Sequence, residues 1–147
     1  MRATTDLHQA LVRRYAEEVW NGGRLELLDE LFRPGHLYHD TFVPRFSPGP
    51  EGVRQHRALY LGAFPDGRVM LEDLSGDTDR VTARWLFTGT HTGPLREIAP
   101  TGRRVATPGI NLFRFAGDRI AETWAVWDSL GMMRQLGLST PASPVAG

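Results

Sequence analysis

The stretch VATPGINLFRFAGDRIAETWAVWD, residues 105–128, decides the fold. Its first eleven residues and its last ten each alternate in polarity as a half-buried strand does. Ala116, Gly117, Asp118 and Arg119 lie between them as a hairpin signal, since Gly and Asp tolerate the positive φ of a tight turn. Pro108 and Gly109 interrupt the first strand and predict a bulge or bend. With Gly117 and Asp118 as a two-residue turn, Asn111 faces Trp124. Both then share a face with Asp128, and Arg114 points the other way.

Two more strands precede this hairpin. RVMLEDL (68–74) and RVTARWLFTGTH (80–91) flank the turn GDTD (76–79), and Val81, Ala83, Trp85 and Phe87 share one face. The N-terminal half has the helical period instead. Asp6 and Gln9 form a capping box. Leu7, Leu11, Tyr15 and Val19 follow at steps of four, widened by Ala16 and Trp20, until Asn21–Gly23 stops the helix. RLELLDELF (24–32) reads as a second helix ending before Pro34. Residues 34–50 carry four of the ten prolines and read as an irregular but apolar loop, packed as a lid. A third helix starts at Pro50. Val53, Arg57, Tyr60, Leu61 and Phe64 face one way on it, and it ends at the turn FPDG (64–67). SLGMMRQLG (129–137) is a short helix after Asp128. The expectation is one domain over 1–147, ordered over about 6–137, with a frayed tail at 138–147. The fold class is α+β, with N-terminal helices packed in a strongly curved mixed or antiparallel sheet that forms a cone with a deep pocket.

Composition narrows the chemistry. Of the 147 residues, 41% are hydrophobic, enough for a core without covalent staples. The absence of cysteine excludes disulfides, thiol nucleophiles and thiolate metal sites. All 17 basic residues are Arg, so no lysine can form a Schiff base. They balance 17 acidic residues without clustering, which argues against a nucleic-acid partner. No run resembles a secretory signal or a membrane span, so the chain reads as cytoplasmic with no membrane partner.

The motifs GTHTG (89–93), PTGRRV (100–105), FRFAGDRIAETW (113–124), WD (127–128) and RQLG (134–137) fall in the order and spacing of the SnoaL-like polyketide cyclases. VWN (19–21) and PGPEGV (48–53) join them upstream. Over residues 7–137 the chain resembles this family, part of the cone-shaped, nuclear-transport-factor-two-like superfamily. The resemblance implies a curved sheet, helices closing a deep pocket, and a homodimer or higher homo-oligomer. It also implies an enzyme that needs no cofactor or metal and takes an aromatic or polycyclic polyketide-like ketone as its small-molecule substrate.

Three functional readings follow. The first is ring closure by intramolecular aldol condensation, with Asp128 as the acid/base that the resemblance places at the end of the final strand. An apolar wall would raise the pKa of such a carboxylate. The residue types alone are equally satisfied if Asp128 caps the next helix. The second reading is a cofactor-independent hydroxylase or epoxide hydrolase using Asp128 with Arg114. In the aldol cyclases a histidine occupies the position that an ungapped reading gives to Arg114, and a guanidinium cannot shuttle protons near neutrality. The third is a non-catalytic, dimeric small-ligand module. Candidate substrate contacts are Trp20, His39, Phe64, Trp85, His91, Asn111 and Trp124. His36 and His56 read as surface residues, and the histidines form no metal pattern.

Overall fold

The computed structural model describes residues 2–138. Helix α1 (Arg2–Arg14) runs directly into a π-helical turn, Tyr15–Trp20. A 3-10 turn (Leu25–Leu27) leads to the single-turn helix α2 (Leu28–Leu31), then strand β1 (Phe32–Asp40) and helix α3 (Pro50–Ala63). Strands β2 (Arg68–Gly76), β3 (Arg80–Thr90), β4 (Arg104–Ala116) and β5 (Arg119–Trp127) follow, and α4 (Ser129–Gln135) closes the order. The sheet order is β1-β5-β4-β3-β2, antiparallel except where β1 runs parallel to β5. This is the α+β class expected, with a mixed sheet. The part of the predicted tail beyond Leu138 lies outside the described residues.

Strand β1 is the main departure from the sequence reading, which assigned its residues to a helix end and a loop. Pro34 removes a ladder donor, so a proline here would break a central strand. β1 is an edge strand, however, and its register shifts between Phe32 and Leu37, where Pro34 and Gly35 sit unpaired. Beyond the irregularity, His36 and Tyr38 are buried while Leu37 and His39 are exposed, the period-two pattern of a one-sided strand.

The helix preceding it also differs. Asp6 lies inside α1 rather than capping it, and Leu7 is exposed. The buried stripe is His8, Val12, Tyr15, Ala16, Val19 and Trp20. The π turn widens the helix, with Asn21 N–H reaching back five residues to the Ala16 carbonyl at 3.0 Å. That widening lets Tyr15, Ala16, Val19 and Trp20 all turn inward. Asn21 then acts as a strand surrogate. Its side chain donates to the Val69 carbonyl (2.8 Å) and accepts from the Val69 N–H (2.9 Å), covering the β2 edge.

Pro108 and Gly109 introduce no bulge, since β4 keeps one register with β3 from Arg104 to Arg114. Gly109 is required by contact instead. A β-carbon there would overlap the indole of Trp85 and approach the Trp127 Cβ at 2.8 Å.

The true irregularity lies in β5. Ala116 pairs with Arg119 and Phe115 with Ile120, but Arg114 pairs with Glu122, so Ala121 is an extra residue. Burial changes parity there, from Ile120 to Thr123, Ala125 and Trp127. Asn111 therefore faces Ala125, not Trp124. Trp124 moves to the outer face beside Leu112, because a one-residue slip exchanges the faces of a strand.

His36 and His56 are both buried, at 0% and 6% exposure, which corrects their reading as surface residues. His36 Nε2 lies 2.8 Å from Thr123 Oγ1, and Nδ1 has no partner. Burial pulls the His36 pKa down to about 4, against the raising effect of Glu122. On unfolding the imidazole returns to an ordinary value of about 6.5. The unfolded chain thus binds the extra proton between those values, and stability falls as pH drops from about 6.5 through about 4. The full loss is roughly 3 kcal/mol. Urea midpoints measured at pH 7.5 and 4.5 should show this, and His36→Gln should flatten the difference.

Candidate functional site

The π turn and α3 stand over the inner sheet face and leave a cavity with an empty volume of about 680 Å³, its mouth included. Tyr15 and Trp20 line it from the π turn, His56 and Tyr60 from α3, and Tyr38 from β1. The sheet contributes Trp85, Thr107, Asn111, Phe113 and Trp127, and Met132 enters from α4. Among the described residues, none that lines it is Arg, Asp or Glu.

Three of the lining side chains, His56, Tyr60 and Trp127, are tied to Asp40, the last residue of β1. Its side chain is fully buried. The carboxylate accepts from His56 Nε2 (3.1 Å), the Tyr60 hydroxyl (3.2 Å) and Trp127 Nε1 (3.3 Å). It also accepts from the N–H groups of Phe42 (2.7 Å) and Val43 (3.3 Å). Burial pushes the carboxyl up, but the hydrogen bond from His56 and those from Phe42 and Val43 outweigh it and hold the group below its usual range. Burial likewise pulls His56 below its usual value, against the raising effect of Asp40. At neutral pH the pair is therefore an ionised carboxylate beside a neutral imidazole. The His56 ring stacks on Tyr38, with centroids 4.1 Å apart. Burial also raises the Tyr15, Tyr38 and Tyr60 hydroxyls well above the ordinary phenol range, so all three remain neutral donors.

Among the described residues, four cavity-lining side chains bear a buried polar atom with no partner: Tyr15 Oη, Trp20 Nε1, His56 Nδ1 and Thr107 Oγ1. Unpaired buried groups are costly and rare. These four come from the π turn, α3 and β4, so the cavity offers polar atoms to a ligand from several of its sides. Asn111 is pre-set in the same wall, since Trp85 Nε1 donates to its Oδ1 at 3.0 Å and leaves the amide N–H groups as donors.

The residues singled out from sequence divide into three groups. Trp20, Trp85 and Asn111 line the cavity. Phe64 and His91 are buried side by side in the core outside its lining, and His91 Nδ1 accepts the Thr101 N–H at 3.1 Å. His39, Trp124 and Arg114 lie together on the outer sheet face. His39 stacks on Trp124 at 5.3 Å and bonds Glu122 at 2.7 Å, and Arg114 donates to the same carboxylate at 3.1 Å. Arg114 thus has its charge satisfied away from the cavity. Asp128 is corrected too. It is exposed, and its carboxylate accepts the Gly131 N–H at 2.8 Å as the N-cap of α4. The strand ends at Trp127, and the turn into α4 carries Asp128 outside.

Asp40, His56 and Tyr60 were not recognised as site residues in the sequence reading, although signals existed. Once residues 36–40 are read as a strand, His36, Tyr38 and Asp40 share a face, and the motif YHD points to Asp40 rather than His39. On α3, His56 falls at helical spacing between Val53 and Tyr60, on the buried side.

The profile described as SnoaL-like polyketide cyclase matches residues 10–136. AcmA, an aklanonic acid methyl ester cyclase of Streptomyces galilaeus, is 29% identical over 134 residues, covering 90% of this chain and 92% of its own. DauD, an aklanonic acid methyl ester cyclase of Streptomyces sp. strain C5, is 30% identical over 138 residues, covering 89% and 82%. The solved structure of TsrD from Streptomyces laurentii aligns with a TM-score of 0.80 at 29% identity, over 95% of this chain and 98% of that one. With helices enclosed by a mixed sheet around one deep cavity, and a family match over nearly all the described residues, the chain belongs to the SnoaL-like polyketide cyclase family of enzymes.

Proposed function

We propose that the chain closes a ring in a polyketide-type, polycyclic ketone substrate by an intramolecular aldol reaction that uses no cofactor. The observation that carries this reading is the enclosed aromatic cavity with unpartnered polar atoms on its wall. Aromatic walls fold and stack a flat substrate, which brings its two reacting carbons together. The Tyr15 hydroxyl, Trp20 Nε1–H, Thr107 hydroxyl and Asn111 amide supply donors for the oxygens on which negative charge develops. Such a reaction is an isomerisation, so the substrate's own carbonyls carry the charge.

The lining also favours a neutral substrate. A free carboxylate entering this cavity would lose its hydration and meet no cation among the described residues, whereas an ester loses little. The test uses aklanonic acid methyl ester, the compound named for two of the relatives, and its free acid. The purified chain with EDTA should convert the ester to an isomer of unchanged mass, with kcat/KM on the order of a hundredfold above that for the acid. No isomeric product from such esters would overturn the reading. Product carrying oxygen from labelled dioxygen would replace it with hydroxylation.

A further inference from the structure

We propose that His56 is the general base of this cavity, accepting a proton from substrate carbon at Nδ1 while Asp40 holds its ring. This inference rests on the ring-closing reading above. An ionised carboxylate can only accept hydrogen bonds, so the Asp40 contact at 3.1 Å requires the proton to sit on His56 Nε2. Nδ1 is then a bare lone pair. It is buried without a partner, in a ring that forms part of the cavity wall. Asp40 is itself immobilised by Tyr60, Trp127 and two backbone N–H groups, so the carboxylate cannot turn away and release the imidazole.

The other polar wall residues cannot take this role. The tyrosines are held neutral by burial, Trp20 and Trp85 only donate, and Thr107 and Asn111 are not bases near neutrality. Arg114 and Asp128 face away from the cavity. Among the described residues, His56 is thus the one wall side chain that exchanges a proton at physiological pH.

The step balances without a co-reactant. Nδ1 takes the proton from a carbon flanked by carbonyls, and the C–H electron pair becomes an enolate. The enolate carbon forms a C–C bond to the second carbonyl carbon, whose π pair moves to oxygen. The imidazolium then returns the proton to that alkoxide, giving the ring alcohol and neutral His56. The charged and titratable groups facing His56 are Asp40 and Tyr38 from β1 and Tyr60 from its own helix, while Trp20 and Phe46 contribute no charge. Neutral His56 is the active form. Activity should therefore be flat at neutral pH and fall only as pH drops below the ordinary histidine range.

Two measurements test the proposal. Nitrogen-15 NMR of the imidazoles in the ligand-free protein at pH 7.5 should find His56 protonated on Nε2 and bare on Nδ1, and Asp40→Asn should disturb that preference. A His56 protonated on Nδ1 overturns the proposal whatever the substrate proves to be. His56→Gln should lower kcat on aklanonic acid methyl ester by about 10²–10⁴-fold, with substrate affinity changed less than fivefold. Asp40, as a positioning residue, should lower kcat about 10–10³-fold as Asn, with KM little changed. If the wild-type chain cyclises the ester and His56→Gln does so equally well, the base lies elsewhere and the ring-closing reading stands. If the wild-type chain cyclises no such ester, the ring-closing reading fails, and the NMR result alone decides whether His56 is poised as a base. His56→Asn serves where the glutamine variant does not fold.

Discussion

Asp40→Ala lowers the unfolding free energy by about 3–5 kcal/mol, measured by urea denaturation at neutral pH. The carboxylate satisfies His56, Tyr60, Trp127 and two backbone N–H groups at once. Truncation leaves all five donors without an acceptor and opens a void among aromatic rings, so a desolvation penalty adds to a packing loss. Asp40→Asn is milder, at about 1–3 kcal/mol, because one oxygen remains while the new NH₂ must meet a donor. The difference between the two variants separates the loss of acceptors from the loss of charge. Equal stability of Asp40→Ala and the wild type would mean that the cluster is not closed in solution.

Gly109→Ala is the second large effect, and its cause is steric. The new methyl group would occupy the space of the Trp85 indole, so the ring must swing away and break its bond to Asn111. Overpacking of this kind costs about 1–3 kcal/mol, and the displaced indole enters the cavity. Ligand affinity should fall with stability. Adding Trp85→Phe should restore part of the stability, because the smaller ring clears residue 109. The double variant should thus be more stable than Gly109→Ala alone, a non-additivity that identifies the contact. Thermal unfolding of the two single variants and the double variant measures it.

Much of the fold was legible because local chemistry and tertiary packing agree there. The β4–β5 turn, the start of α3 at Pro50 and the inward face of β3 all appear where composition and period put them. The failures share a cause. Pro34 signals a loop only until the strand is known to be an edge, and that depends on a partner far along the chain. The extra residue at Ala121 leaves no composition signal, yet it decides that Trp127 rather than Trp124 lines the cavity. Asp128 follows a strand and precedes a helix, so both a base and a cap fit its position. Only the direction of the chain after Trp127 separates them. Asp40 and His56 were hidden for the converse reason, since neither carries its chemistry without the other.

The parallel pairing of β1 with β5 also orders the events by which this protein is made. Asp40 meets His56 and Tyr60 across 16 and 20 positions but meets Trp127 across 87. A nascent chain can assemble the first contacts early, while β1 stays an unpaired edge until β5 leaves the ribosome. Closing so distant a pair is entropically slow. The last strand to leave the ribosome is thus the one whose Trp127 completes the hydrogen bonds around the Asp40 carboxylate.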